Sequence, residues 1–259
     1  MTDIDADLIK WIDDQTAKAE GAEDIITKHP EFSVDDAYCA QLGLMDGRVT
    51  RGARIVGYKA AHTSLAIQQE QQHGLTVGTL LNTIETIEGT SIALKHGIPT
   101  FAEPEIAVLL KRDLHGPSIT VLDAYHAIEG VLPAIEVVTP ARGQRKRSSQ
   151  MSIAIGKSEG SFVLGSTVTS LSGLDLRLEG IVVSVNGVPK RSGTGVEAMG
   201  NPLNVIVAVT ELLAKYGRGL KAGMVVMTGS ITNNIAVAPG DEVCVETTRL
   251  GAVTARFSR

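Results

Sequence analysis

The chain has 259 residues, 43% of them hydrophobic, 20% charged and only 3% aromatic, with 27 glycines and a formal net charge of −5. That length holds one large domain or a small domain plus a main one, and the apolar fraction is ample for a core. The acidic balance argues against a nucleic-acid partner, and so few aromatics argue against base-stacking platforms or carbohydrate clefts. No apolar run reaches a membrane span, and the start Met1-Thr-Asp-Ile-Asp-Ala-Asp is acidic where a signal peptide would be basic. Cys39 and Cys244 lie far apart without a CxxC pair, which reads as two free thiols in a reducing compartment. The expectation is a soluble cytoplasmic protein with neither nucleic acid nor membrane as a partner.

Along the chain, residues 4–21 carry helical periodicity, with Ile4, Leu8, Trp11 and Ile12 on one stripe. A second helix is expected from Ser33, an N-cap followed by Asp35 and Asp36, to about Asp46, with Gly47 as its stop. These helices read as an N-terminal cap over residues 1–52, ahead of a main domain at 53–259. From Arg54 the texture changes to short apolar runs punctuated by glycine, at 55–58, 90–94, 105–110, 180–186, 224–227 and 242–246. Asn186-Gly187 is a strong hairpin signal. Helical stretches interrupt at about 122–129 and 203–216, the second ending at Gly217. Residues 139–160, polar and carrying Arg142, Arg145, Lys146 and Arg147, read as a mobile loop. The balance is α+β, dominated by strands after residue 54.

Two glutamates one residue apart stand out, Glu103 and Glu105 in Thr100-Phe-Ala-Glu-Pro-Glu-Ile-Ala-Val, and a third, Glu136, follows in Pro133-Ala-Ile-Glu-Val-Val138. In a strand, residues i and i+2 share a face, so Glu103 and Glu105 become like-charged neighbours. The ordinary alternative points them to solvent. Against it, Glu136 is flanked by Ala134-Ile135 and Val137-Val138, as in a strand buried on both faces. Buried like charges require a cation or shared protons. Three carboxylates without a nearby cysteine form an oxygen-only site suited to Mg²⁺ or Mn²⁺.

Several stretches together carry a family pattern: Gly57-Tyr-Lys59 with Thr63-Ser64, Glu103-Pro-Glu105-Ile-Ala, Pro133-Ala-Ile-Glu136, Ser184-Val-Asn-Gly187, Met199-Gly-Asn-Pro-Leu203, Leu220-Lys-Ala-Gly223, Met227-Thr-Gly-Ser230 and Pro239-Gly-Asp241. In these the chain resembles the 2-keto-4-pentenoate hydratase / 4-oxalocrotonate decarboxylase family, within the fumarylacetoacetate-hydrolase-like superfamily. The resemblance implies a mixed, rolled β-sheet fold of the fumarylacetoacetate-hydrolase C-terminal type with an N-terminal helical cap. It also implies Mg²⁺ or Mn²⁺ held by Glu103, Glu105 and Glu136, and a short 2-oxo or 2-hydroxydienoic acid as substrate. Lys59 matches the family's lysine and is assigned to proton transfer or to the substrate carboxylate, with burial expected to lower its pKa. Thr63 and Ser64 are candidate carboxylate contacts, although Thr-Ser also suits a helix N-cap. Thr228, Gly229 and Ser230 are candidates for cradling an anion, although a plain turn fits too. His62, three residues from Lys59, is a candidate extra acid/base.

The pattern breaks after the third glutamate. Relatives continue with an Asp-Ser-Arg-like segment and later an Ala-Asp-Asn-x-Ser stretch, whereas this chain has Thr139-Pro-Ala-Arg142 and Ile153-Ala-Ile-Gly-Lys157-Ser158. If the basic loop faces the pocket, Arg142 is a candidate contact for a second substrate carboxylate; facing solvent, it is a solvated charge run. The first expectation is therefore a metal-dependent hydratase acting on 2-hydroxypenta-2,4-dienoate, with a 2-oxohex-3-enedioate decarboxylase as runner-up. An acylpyruvate-type hydrolase using His62 with Glu70 or Glu85, and a non-catalytic scaffold subunit, are the remaining readings. The resemblance further implies a homo-oligomer, and association with a neighbouring pathway enzyme is compatible with it.

Overall fold

The computed structural model describes residues 4–18, 22–65, 68, 74–139, 147–156 and 160–259. Three helices open the chain: α1 (Ala6–Ala17), α2 (Ile25–Lys28) and α3 (Val34–Thr50). The apolar stripe expected of α1 packs inward, with Ile12 fully buried and Ile4, Leu8 and Trp11 against the same core. Helix α1 stops at Ala17 rather than at residue 21, and α2, with Asp24 as its N-cap, is a helix the periodicity did not announce. At α3, Ser33 and Asp36 form a reciprocal capping box.

Gly47 does not end α3. The helix runs on to Thr50, where the Ala53 N–H bonds the Arg48 carbonyl and the Gly52 N–H bonds the Val49 carbonyl. That bond pair is a Schellman ending, and its left-handed residue is Gly52, at φ +100°. Gly47 is an ordinary interior helical glycine, and the stop lies five residues later.

The strands form two sheets. The first runs β2 (Thr76–Leu81), β1 (Ile55–Ala61), β10 (Val225–Ser230), β5 (Phe101–Leu110), β6 (Ile128–Val138), β7 (Gly160–Leu164) and β3 (Glu85–Thr86), with β11 (Ile235–Ala236) added to β5. The second runs β4 (Ser91–Ala93), β13 (Ala252–Ser258), β12 (Glu242–Thr247), β8 (Gly180–Val185) and β9 (Val188–Thr194). The β8–β9 hairpin turns on Asn186 and Gly187, both at positive φ, as a type I′ turn requires. Helices α4 (Val121–Ala127) and α6 (Pro202–Lys215) fall where expected. Residues 139–160 are not a continuous loop: α5 (Ser149–Ala154) interrupts them, and β7 begins at Gly160.

The two faces of the first sheet differ. Ile106, Val108, Val131, Ile135 and Val163 pack into one large core shared with the second sheet, α3 and α6. The opposite face carries a smaller cluster of Leu80, Ala107, Leu132, Ala134, Phe162 and Met227. Side chains alternate along strands, so Glu103 and Glu105 share the face of Ala107, and Glu136 shares the face of Ala134. Lys59 is the register partner of Met227 and joins them. The expected mixed, rolled sheet with helices ahead of it is thus the observed architecture, and it gathers the charged candidates on one side.

The parallel β1–β10 pairing that places Lys59 depends on Gly57. A Cβ at Gly57 would lie 1.8 Å from the Val225 carbonyl oxygen. Backbone cannot yield as a side chain can, so Gly57→Ala should cost at least the upper end of the overpacking range, about 3 kcal/mol. Urea unfolding checks this, with Gly74→Ala as control, since nothing lies within 4 Å of a Cβ there.

Candidate active site

The site is built on the pairing of β5 with β6, where Glu103 is the register partner of Glu136 and Glu105 that of Ala134. One oxygen from each of Glu103, Glu105 and Glu136 lies within 4.8 Å of the others. Glu105 is fully buried and Glu136 nearly so, while Glu103 is half-buried. Burying both faces of β6 follows from its unbroken apolar run, and it carries Glu136 inside.

A β-bulge completes the arrangement. Register on β10 shifts between Met227 and Ser230, so one extra residue opposes β5 at this point. Gly229 takes φ +93° there and turns its N–H onto Glu105 Oε2 at 2.8 Å. Pro104 sits opposite the bulge, its carbonyl accepting from the Ile231 N–H. The proline's missing donor therefore falls where the ladder is already interrupted.

Lys59 Nζ bonds Glu136 Oε1 in a buried ion pair. Burial alone would lower the Lys59 pKa, as expected from the sequence. The Glu136 carboxylate, with Glu103 and Glu105 behind it, reverses the sign and holds the ammonium above its ordinary value. Lys59 is accordingly a cation here and not a neutral base. Burial pushes Glu105 well above the usual carboxylate range, and the charges of Glu136 and Glu103 add to this; the Gly229 N–H and Lys59 oppose it. Glu105 Oε1 is buried with no hydrogen-bond partner. An orphaned carboxylate oxygen facing two more carboxylates is the donor set of a divalent-cation site, and its all-oxygen chemistry suits Mg²⁺ or Mn²⁺.

Lys59, His62, Thr63, Ser64 and Glu103 line a cavity of about 620 Å³. This is the size of a small-molecule site. His62 has φ +59°, and its Nδ1 lies 3.3 Å from Thr76 Oγ1. Thr63 is buried against Gly229, where a Cβ would come within 2.1 Å of its Oγ1. Two candidate substrate contacts also bond within the protein. Thr228 is fully buried and donates its hydroxyl to the Ile106 carbonyl, behind the cavity wall. Gly229 does cradle an anion with its N–H, but the anion is the Glu105 carboxylate. Arg142 lies outside the described residues, as do Glu70 and His73. Glu85 lines a different cavity with Leu132, Leu164 and Val168, so it makes no pair with His62. Lining residues that were not singled out include Thr76, Ser149, Ser152 and Asn233. Isolated hydroxyls and amides at the start of a strand, in a six-residue helix or in the link between two strands give no periodic signal.

A buried carboxylate triad on a rolled mixed sheet, with a lysine in contact and a cavity above, defines a divalent-metal centre for a small anionic ligand. The profile of the fumarylacetoacetate (FAA) hydrolase C-terminal family matches residues 61–258, and the chain belongs to that family. It is 35% identical over 234 residues to the TodF product hydratase of Pseudomonas putida F1, covering 88% of this chain and 86% of that one. It is 31% identical over 251 residues to a Pseudomonas putida 4-oxalocrotonate decarboxylase, covering 96% and 95%. The solved 4-oxalocrotonate decarboxylase from Pseudomonas putida G7, complexed with magnesium and adipate, superposes with a TM-score of 0.90 at 31% identity, covering 99% of each chain.

Protonation and cation binding compete at Glu105. With its folded pKa raised, the folded state binds the proton more tightly than the unfolded chain. Between the ordinary value of 4.5 and the raised one, the stability of the metal-free protein therefore falls as pH rises. Glu105→Gln keeps an acceptor for the Gly229 N–H and removes the buried charge. It should raise the melting temperature of the metal-free protein at neutral pH while abolishing the stabilisation by Mg²⁺ or Mn²⁺ seen in the parent. Thermal melts with and without the ion read both effects.

Proposed function

We propose that this protein is a divalent-metal-dependent hydratase that adds water to 2-hydroxypenta-2,4-dienoate-type acids. The products are 4-hydroxy-2-oxo acids, formed in aromatic meta-cleavage catabolism. The observation that carries the reading is the orphaned Glu105 oxygen within the Glu103–Glu105–Glu136 triad, beside a charged Lys59 and under an open cavity. The hydratase relatives support the substrate class. Bound at the triad, Mg²⁺ or Mn²⁺ supplies Lewis-acid stabilisation of the negative charge that a 2-oxo acid develops on enolisation.

The chain's own residues do the rest. Lys59 faces the cavity as an ammonium and acts as acid, giving its proton to the dienol skeleton or holding the substrate carboxylate. Thr63 and Ser64 bind and orient the carboxylate at the end of β1. His62 is a second acid/base group within the same cavity. Ala60, Ala61, Val138 and Ile155 form apolar wall that limits water around the hydrocarbon portion.

A decarboxylase acting on 2-oxohex-3-enedioate is the second reading. Arg147 lines the cavity and suits a second carboxylate, and the solved relative holds adipate, a six-carbon diacid. Arg142 is kept as a further candidate contact. The two readings differ in what leaves or adds, and share the metal centre.

Three wider assignments accompany this reading. Residues 1–52 form the helical cap and 53–259 the catalytic domain, in keeping with a family match that begins at residue 61. The protein works in the cytoplasm, consistent with unpaired Cys39 and Cys244 and with no described helix long and apolar enough to cross a membrane. It assembles as a homo-oligomer, with a pathway enzyme as a compatible partner.

The test offers freshly generated 2-hydroxypenta-2,4-dienoate and 2-oxohex-3-enedioate with Mg²⁺ and reads products by mass. Gain of water is expected; loss of CO₂ would transfer the assignment to the decarboxylase. Lys59→Met should reduce turnover by roughly 10²–10⁴-fold, the range for losing a positioned acid. Its metal-induced thermal shift should persist, because the three carboxylates remain.

A further inference from the structure

One wall of the cavity comes from a single short segment, residues 147–156, through Arg147, Ser149, Ser152, Ile153 and Ile155. Its helix α5 has six residues. A helix that short is not stable by itself, so contacts from outside must set its position. Among the described residues, none from 4–52 lines the cavity, yet the N-terminal helices grip this wall at three points.

The first grip is Asp24. Its Oδ2 accepts the Ser148 N–H at 2.7 Å and its Oδ1 accepts the Ser148 hydroxyl at 2.6 Å. The same carboxylate caps α2 by accepting the Ile26 N–H at 3.2 Å. Ser148 in turn caps α5, its Oγ accepting the Met151 N–H at 3.0 Å. One carboxylate thus joins the starts of two helices. The second grip is Gln41 of α3, buried, whose Nε2 donates to the Ile153 carbonyl at 2.7 Å and to the Val77 carbonyl at 3.2 Å. Its Oε1 accepts the Thr79 hydroxyl at 2.9 Å, tying the wall to β2. The third is steric: Gly156 has φ +72°, and a Cβ there would meet the Met45 methyl at 2.7 Å.

We propose that the N-terminal helices set substrate affinity from outside the cavity, with Asp24 and Gln41 as positioning residues for the 147–156 wall. The proposal rests on the cavity being the substrate site. Arg147, which lines the cavity, directly precedes the clamped Ser148, so Asp24 fixes the backbone next to it. Hydrogen bonds to a charged group are among the stronger ones in a protein, and a misplacement of about 1 Å is enough to impair a bound geometry. The metal centre stands on β5, β6 and β10 and shares none of these bonds.

The experiment compares Asp24→Ala, Ser148→Ala and the double variant with the parent, in Mg²⁺. Three readouts are taken: KM and kcat on whichever dienoate the parent turns over, the metal-induced thermal shift, and amide hydrogen exchange in residues 149–156. Asp24→Ala should raise KM by about tenfold, the equivalent of 1.4 kcal/mol. It should leave kcat within about twofold, keep the metal shift and speed exchange in the segment. Ser148→Ala removes the hydroxyl bond but leaves the backbone N–H bond to Asp24, so it should raise KM less than Asp24→Ala, and the double variant should fall short of additivity because the two share the hydroxyl bond. Asp24→Asn, which retains one acceptor oxygen, should recover part of the KM; it also serves if the alanine variant does not fold. Fully additive KM effects, or an unchanged KM with faster exchange, would overturn the positioning role. If the parent turns over neither dienoate, the functional reading fails separately, and unchanged exchange in Asp24→Ala still overturns the clamp.

Discussion

Three carboxylate oxygens within 4.8 Å of one another, largely out of water, are the constraint to which the surrounding structure answers. At an effective dielectric near 20, two unit charges about 5 Å apart repel by about 3 kcal/mol, and the triad contains three such pairs. One lysine contacts one of them, and one backbone N–H serves another. Burial, with the charges of Glu136 and Glu103 beside it, raises the Glu105 pKa, so Glu105 calls for a proton or a cation. An ordinary core would have removed these charges, since paired burial is at best neutral in stability. Their presence signals a cluster kept for a ligand.

The sheet accommodates that cluster through compensations placed close together. A central strand carrying Glu-Pro-Glu should be a poor strand, because proline removes a ladder donor. Here the neighbouring strand bulges at the same level, so the absent donor goes unmissed, and the bulge frees the Gly229 N–H to face Glu105. Gly229 must be glycine twice over, for its φ of +93° and for the Thr63 side chain pressed against it. Thr63 thereby links the end of β1 to the bulge in β10. Proline, bulge, glycine and threonine act as one unit, with Lys59 entering along β1 from the side.

Much of this could be read in the sequence because it obeys short periods. Two-residue alternation placed Glu103 and Glu105 on one face, the unbroken apolar flanks of Glu136 implied its burial, and Asn186-Gly187 fixed a hairpin. What escaped depends on distant partners. The Lys59 shift took the opposite sign because three carboxylates from other strands outweigh desolvation. That the Gly229 N–H serves Glu105 and the Thr228 hydroxyl serves the Ile106 carbonyl is not legible in the sequence, since the bulge there is a property of the β10–β5 pair. Gly47 was mistaken for a stop because glycine marks a helix end only where a left-handed residue is needed, and that residue is Gly52. Helix α5 is too short to show periodicity.

The site draws on two parts of the fold. Lys59, Glu103, Glu105, Glu136 and the Gly229 bulge, which set its charge, stand on the first sheet. On the cavity wall, Ile155 and Gly156 are both buried, with Ile155 lining the cavity and Gly156 packed against Met45. An isoleucine there removes polarity from the wall, and a glycine at φ +72° lets α3 approach closely enough to support it. The polar groups that remain on this wall, Arg147, Ser149 and Ser152, sit at its other end. The charged cluster and the cavity wall therefore rest on separate structural supports, the former on a hydrogen-bonded sheet and the latter on a segment clamped by N-terminal helices. A change in the wall can thus leave the carboxylate triad intact, in a chain about one-third identical to both a hydratase and a decarboxylase.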